Sequence, residues 1–170
     1  MDAITIISAT SADAPALKAL LEAAYRGDSA RAGWNHEADI LDDERTSREE
    51  LDALLADPAV TILTARDGER LIGCVAVTCK DARLAYLGML CVLPTLQSGG
   101  LGRRLLDAAE GCARTQGVAA MEMTVIDSRE SLIAWYERRG YRRTGETRPF
   151  PVPRDPPITF AVLEKPLAPA

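Results

Sequence analysis

The stretch Gln97-Ser98-Gly99-Gly100-Leu101-Gly102-Arg103 decides the fold, because of what lies on either side of it. An apolar, strand-like run over residues 86–92 precedes it, and an amphipathic helical pattern follows. The first N–H groups of a helix lack internal partners, and the helix dipole favours negative charge there. Glycines let that backbone approach a phosphate without an intervening side chain. The stretch therefore predicts a ligand that carries phosphate and is held by main-chain groups.

The segments around this glycine loop predict a β-α-β crossover. Apolar residues at helical spacing run from Leu101 to Cys112, and Gly117 is a plausible C-cap. An alternating strand pattern follows, and a short helix is predicted from Ser131 to Arg139. Strands are predicted over residues 4–7, 60–66, 71–79, 84–92, 121–126, 141–146 and 158–164.

The N-terminal half predicts hairpins and further helices. Asp67-Gly68 lies between two apolar runs, which is a strong hairpin signal. Capping-box patterns begin at Thr10 and Ser47, so a helix is predicted after each. The order of elements predicts an α/β (α+β) fold. Its sheet is mixed and mostly antiparallel, with about seven strands and with helices on both faces.

Length and composition limit the class of protein. The 170 residues suit one domain, 1–170, with a full hydrophobic core. The net charge of −5 argues against nucleic acid as a partner. The four cysteines lack metal-type spacing, so we expect no metal, free thiols and a cytoplasmic location. No apolar run approaches the ~20 residues that span a bilayer, so no membrane partner is expected.

The loop departs from two common nucleotide-binding fingerprints. A dinucleotide fingerprint would need a third glycine where Leu105 stands. Its ribose-binding acid would be Glu122, which falls in the middle of a predicted strand instead of at a strand end. No Gly-Lys-Ser/Thr follows the loop, which excludes a Walker loop.

The loop, a tyrosine segment and the order of elements together resemble the GNAT superfamily of acyl-CoA-dependent N-acyltransferases. Gln97, Gly100 and Gly102 match that family's pyrophosphate loop, Gln/Arg-x-x-Gly-x-Gly/Ala. Tyr136 begins a match to its Tyr-x-x-x-Gly-Phe/Tyr signature. One position departs: Arg129 stands where many relatives carry an asparagine that helps to hold pantetheine, so that contact is not transferred.

The resemblance implies an activity as well as a GNAT-like fold with the crossover at its centre. It implies transfer of an acetyl group from acetyl-CoA to a primary amine of a small molecule or peptide, directly in a ternary complex. The protein would be a monomer or a homodimer. The residues expected to bind the cofactor, through loop N–H groups and through the preceding strand's backbone, are Leu90, Cys91, Val92, Gln97, Ser98, Gly99, Gly100, Leu101, Gly102 and Arg103.

The resemblance also implies catalytic residues. Tyr136 is expected to be the general acid that protonates the CoA thiolate, against a plain packing role. Glu122 is a candidate base, although a carboxylate in a strand is commonly paired or exposed. A water chain is an alternative to any single base. So are three carboxylates of an irregular segment, Glu37, Asp39 and Glu44.

The acceptor site is expected near the first helix and the loops that follow it. Tyr25, Trp34 and Phe150 are its candidates, although Trp34 would equally serve to pin its loop to the core. An acyl-enzyme on Cys91 is considered and set aside in favour of core packing, because the single histidine, His36, lies in a distant loop. The alternative function is a non-catalytic CoA-binding or sensor module, which would keep the loop without needing Tyr136.

Overall fold

Alternating apolar residues build the sheet at the centre of the protein. The computed structural model describes residues 3–25, 46–151 and 153–169. The strands are β1 (Thr5–Ser8), β2 (Val60–Asp67), β3 (Arg70–Cys79), β4 (Leu84–Val92), β5 (Ala120–Ile126), β6 (Arg142–Pro149) and β7 (Thr159–Pro166). The helices are α1 (Ala14–Tyr25), α2 (Arg48–Ala56), α3 (Leu101–Thr115) and α4 (Glu130–Glu137).

These described strands form a seven-stranded sheet in the order β1-β2-β3-β4-β5-β7-β6. Its neighbouring strands are antiparallel except β4 and β5, which are parallel and joined through α3. The predicted mixed, mostly antiparallel sheet is therefore confirmed. The strand boundaries agree to within two residues except at β6, which ends at Pro149, three residues beyond the predicted end; β1 is Thr5–Ser8 and not 4–7.

The helices cover both faces of the sheet, as the sequence predicts. Leu105 of α3 packs with Met121 of β5 in one core. Leu17 of α1 and Leu51 of α2 pack with Ile62 of β2 in the other. Burying apolar side chains on the two faces is the main stabilising contribution to such a layered fold.

Local capping signals fix where the helices begin. Ser47 Oγ accepts from the Glu50 N–H at 3.1 Å, and Glu50 Oε2 accepts from the Ser47 N–H at 3.2 Å, which is the predicted capping box of α2. At Thr10 the N–H donates to Asp13 Oδ2 at 2.8 Å. The chain there makes a short 3₁₀ turn over Ser11–Asp13 before α1 begins at Ala14.

A buried carboxylate links α3 to β7. Glu110 is 2 % exposed, and its Oε1 accepts from Lys165 Nζ of β7 at 2.6 Å. Arg114 lies 3.7 Å from the same oxygen, and the Tyr141 hydroxyl donates to Oε2 at 3.5 Å. A buried charge is tolerated where it is paired and hydrogen-bonded in this way.

Strand β4 carries an extra residue. Gly88 pairs with Ala76 and Cys91 pairs with Cys74, so Met89 and Leu90 together lie opposite Val75. Met89 takes a left-handed backbone with φ of 57°. This β-bulge bends the strand just before its end.

After three paired residues, β4 and β5 separate. Only residues 84–86 of β4 pair with residues 120–122 of β5, although β4 continues to Val92 and β5 to Ile126. We call the gap between residues 87–92 and 123–126 the wedge. The Tyr86 hydroxyl and Thr124 Oγ1 lie 2.6 Å apart where it opens.

Candidate active site

The glycine loop presents an uncapped helix end. Gly100, the residue before α3, has a left-handed φ of 85°, and Ser98 has a φ of 71°. No side chain caps the helix, and its first hydrogen bond runs from the Arg104 N–H to the Gly100 carbonyl at 3.1 Å. The N–H groups of residues 101–103 are therefore available to an anion.

These groups open into a cavity of about 750 Å³, which we call the loop cavity. Eight of the ten residues predicted to bind the cofactor line it. The other two are Gly99 and Leu101; the Leu101 side chain packs in the core at 6 % exposure. The loop cavity lies between the end of β4, the glycine loop and α4. The β4 side of the wedge and the N-terminus of α3 therefore border the same cavity.

Gln97 fixes the loop to the strand before it. Its side-chain Nε2 donates to the Val92 carbonyl at 3.1 Å. The amide thus spans from the start of the loop to the last residue of β4. This contact places the N-terminus of α3 beside the wedge.

Tyr136 of α4 lines the loop cavity. Its ring lies edge-on to Trp135 and Tyr141, with centroids 5.0 and 5.8 Å away. The residue is 5 % exposed, and its hydroxyl forms no hydrogen bond to any described residue. Burial raises the pKa of this hydroxyl and outweighs the lowering by the Arg129 guanidinium. The hydroxyl therefore keeps its proton at neutral pH and can donate it into the cavity.

A comparison with known protein families identifies the family of this chain. A family model described as "Acetyltransferase (GNAT) domain" matches residues 30–150. The chain belongs to the GNAT acetyltransferase family. It is an acyl-CoA-dependent acetyltransferase, and the resemblance in the loop and tyrosine segment is confirmed.

Individual relatives agree with this assignment. The GNAT chain is 32% identical over 144 residues to an IAA acetyltransferase of Azospirillum brasilense, covering 84% of each protein. It shares the fold of the ribosomal-protein-S18-alanine N-acetyltransferase from Escherichia coli, with a TM-score of 0.76, 20% identity and coverage of 99% and 96%. A GNAT acetyltransferase from Elizabethkingia anophelis with acetyl-CoA bound has a TM-score of 0.71, 20% identity and coverage of 98% and 100%.

A second cavity of this GNAT acetyltransferase lies on the other side of β4. It measures about 490 Å³ and runs between α2 and β4, and we call it the α2 groove. Tyr86, Gly88 and Met89 line it from β4, while Glu50 and Asp57 line it from α2 and its end. The next three residues of β4 line the loop cavity, so the two cavities adjoin the strand on either side of the bulge.

Glu122 lies outside both cavities. It is 4 % exposed, and its Oε1 accepts from Arg148 Nη1 at 2.8 Å and from Lys80 Nζ at 3.0 Å. Burial acts to raise the pKa of this carboxyl, but the two hydrogen bonds outweigh it and the pKa lies below its ordinary value. Such a carboxylate is a weak base, so the geometry favours the paired, structural role over the catalytic one.

Neither of the two acceptor candidates among the described residues lines either cavity. Tyr25 is buried, and its hydroxyl donates to the Leu90 carbonyl, so it joins α1 to β4 without lining either cavity. Phe150 packs on Phe160 with ring centroids 5.5 Å apart, at the end of the β6–β7 hairpin where the connecting loop begins. Trp34 lies outside the described residues, as do Glu37, Asp39 and Glu44.

Six residues that line the loop cavity were not predicted as site residues: Ser131, Leu132, Ala134, Trp135, Arg138 and Arg139. The available signal for the two arginines was their position inside the tyrosine signature. A basic pair at a helix C-terminus is also what the helix dipole favours, so the pattern alone does not indicate a site.

Cys91 packs in the core. It is 2 % exposed, and its Sγ lies 3.6 Å from Cys74 Sγ on the neighbouring strand. All four cysteines are free thiols. Within residues 3–25, 46–151 and 153–169, no three His, Cys, Asp or Glu side chains are grouped so that they could hold a metal ion. The described helices include none with the length and apolar character to cross a membrane.

Proposed function

We propose that this single-domain acetyltransferase, residues 1–170, transfers an acetyl group from acetyl-CoA to a primary amine in a ternary complex. The carrying observation is that consecutive residues of β4, on either side of its bulge, line two different cavities. Val92 and its two preceding neighbours line the loop cavity, and Met89 lines the α2 groove. A thioester in the first cavity and an amine in the second would approach each other at this point.

The donor is expected to bind along the loop and the wedge. The N–H groups of residues 101–103 would hold the pyrophosphate, because they have no intrahelical partners. Residues 87–92 of β4 do not pair with β5, so this edge of the strand is open to the amides of pantetheine, although the Leu90 and Val92 carbonyls already accept from Tyr25 and Gln97. The solved relative with acetyl-CoA bound shares this fold, which supports the choice of donor.

Tyr136 is the proposed general acid. The amine nitrogen attacks the thioester carbonyl carbon, the carbon–sulfur bond breaks, and the leaving sulfur takes the Tyr136 proton. The products are the N-acetylated amine and CoA. A tyrosine hydroxyl is protonated at neutral pH, and burial, which raises the pKa of Tyr136, disfavours its anion. The tyrosinate formed in this step therefore regains a proton through water, which also carries away the amine proton.

The amine proton is proposed to leave through water. Glu122 is held as an ion pair, and the groove carboxylates serve the backbone: Glu50 accepts from the Ser47 N–H, and Asp57 accepts from the Ala59 N–H at 2.9 Å. The Tyr86 hydroxyl lines the α2 groove beside Thr124 and is placed to order such a water. No single described carboxylate is needed as the base.

A turnover assay separates this proposal from a non-catalytic CoA-binding module. The protein is mixed with acetyl-CoA and a panel of primary amines, and free thiol is measured. An alanine peptide joins the panel because the name of one relative carries it, and IAA, which the name of another carries, is tested separately. Amine-dependent thiol release that Tyr136→Phe reduces supports the enzyme. Tight acetyl-CoA binding with no release on any amine supports the binding module instead.

A further inference from the structure

Three arginines converge on the loop cavity from two different elements. Arg103 comes from the first turn of α3, and Arg138 and Arg139 follow α4. None of the three forms an ion pair with a carboxylate of a described residue, although Asp107 lies near enough to Arg139 to act on its pKa. Clustered cations without paired carboxylates attract an anion.

Arg139 is held rigidly within this cluster. Its guanidinium carbon lies 3.8 Å from the centre of the Trp135 ring, and its Nη1 donates to the Trp135 carbonyl at 2.8 Å. Its Nε is buried and has no hydrogen-bond partner among the residues that the structure describes. A buried donor without a partner, on a guanidinium fixed by stacking, indicates a missing acceptor.

The electrostatics of the cluster agree with the geometry. Burial lowers the pKa of Arg139, and the neighbouring charges of Arg103 and Arg138 lower it further. The three guanidiniums therefore repel one another in the ligand-free protein. A dianionic group bound among them would relieve that repulsion and accept the open donors.

Trp135 links this cluster to the glycine loop. A methyl group built on Gly102 would lie 3.7 Å from Trp135 Cζ2, so the edge of the ring packs against the first turn of α3. The face of the same ring carries Arg139. The main-chain anion site and the arginine cluster are thus two neighbouring places in one cavity.

We propose that Arg103, Arg138 and Arg139 form a second anion site that takes the ribose 3′-phosphomonoester of CoA. The inference rests on the proposed acetyl-CoA binding and goes beyond it. CoA carries a pyrophosphate, which the loop N–H groups suit, and a separate phosphomonoester that main-chain groups of the loop leave unmatched. The enzyme would therefore discriminate CoA from its 3′-dephospho form through side chains alone.

The test compares two donors by calorimetric titration. Acetyl-CoA and 3′-dephospho-acetyl-CoA are titrated into the wild type, Arg139→Gln and Arg143→Gln. Arg143 is an exposed arginine of β6 outside the loop cavity, so its variant matches the change in charge. We expect the wild type and Arg143→Gln to prefer acetyl-CoA by about tenfold or more. Arg139→Gln should weaken acetyl-CoA selectively and bring the two affinities together.

The outcomes separate this inference from the function on which it rests. Equal affinities of the wild type for both donors, or an equal loss of both in Arg139→Gln, would overturn the second anion site while leaving acetyl-CoA binding intact. Binding of neither donor to folded wild type would overturn the proposed function, and the inference with it. Should Arg139→Gln fail to fold, Arg138→Gln at an exposed position gives the same comparison.

Discussion

Arg148 Nη1 lies 2.8 Å from Glu122 Oε1, and this ion pair joins β6 to β5, two strands that are not neighbours in the sheet. Lys80 Nζ reaches the same oxygen at 3.0 Å from the turn before β4. One buried carboxylate oxygen therefore connects three parts of the chain. Its position explains why Glu122 is poorly suited to accept a proton from a substrate.

Glu122→Gln is expected to affect stability more than catalysis. Removing the charge leaves two cations facing a neutral amide; because Arg148 and Lys80 are 31% and 41% exposed, water offsets part of the loss, and we expect a cost of about 1–3 kcal/mol. The rate constant kcat should fall by less than about tenfold, a loss smaller than removal of a general base would give. Urea unfolding and steady-state kinetics measure the two effects. A loss of kcat of a thousandfold in a stable variant would restore Glu122 as the base.

The stabilisation by Glu122 should depend on pH in the acid range. Because the folded protein lowers the pKa of this carboxyl below 4.5, the stabilisation is fully present above about that pH. It is lost as the pH falls through the lower, folded pKa. The difference in unfolding free energy between wild type and Glu122→Gln should shrink below pH 4.5. A difference that instead grew on acidification would contradict the lowered pKa.

Tyr136→Phe should reduce kcat by more than about tenfold with little change in the KM for acetyl-CoA. The phenyl ring keeps the packing on Trp135 and Tyr141, and only the proton donor is removed. Tyr141→Phe is the matched control, since its hydroxyl contacts Glu110 and does not line the loop cavity. An unchanged kcat in Tyr136→Phe would exclude the residue from the mechanism.

Gly100→Ala should weaken acetyl-CoA binding, whereas Gly117→Ala should not. Both glycines have a left-handed φ, 85° and 82°, and a Cβ at either would meet no atom within 4 Å. Each substitution therefore carries a similar backbone strain of about 1 kcal/mol. Only at Gly100 would the methyl group stand beside the N–H groups that face the anion. Equal affinities of the two variants, measured by calorimetry, would argue against a main-chain phosphate site.

Glu110→Gln should lower the free energy of unfolding by about 3 kcal/mol, because Lys165 and Arg114 lose their shared buried partner. Glu130→Gln, at an exposed position at the start of α4, serves as the control and should change stability by less than about 0.5 kcal/mol. Denaturant titration measures both. If the two variants proved equally stable, the Glu110 network would contribute nothing to the fold.

Much of the fold could be predicted because its signals are local. The Asp67-Gly68 turn, the capping box at Ser47 and the glycine loop each lie at the boundary that the sequence indicates. The bulge in β4 could not be predicted in the same way. Ala85 and Leu87 face the α3 core, and strict alternation along the strand would place residue 89 there next. Leu90 and Val92 face that core instead, so the alternation shifts by one residue at the bulge.

The site was predictable where backbone chemistry defines it and less so where distant side chains meet. The loop and Tyr136 carry their own sequence patterns, and the structure brings them to one cavity. Tyr25 looked like a ligand residue because it ends an amphipathic helix, yet its hydroxyl is used by the Leu90 carbonyl. That hydrogen bond joins two residues 65 positions apart in the chain, so no local sequence pattern predicts it.

The bulge has a consequence for how this strand tolerates insertion and deletion. If Met89 were absent, Leu90 would lie opposite Val75 and the β3–β4 ladder would run unbroken, with the same side chains on the same two faces. Met89 is thus not needed for the strand pairing, and its left-handed backbone strains the strand. A chain one residue shorter would make a more regular sheet and, we expect, a poorer enzyme, since the residues on either side of the bulge line the two cavities.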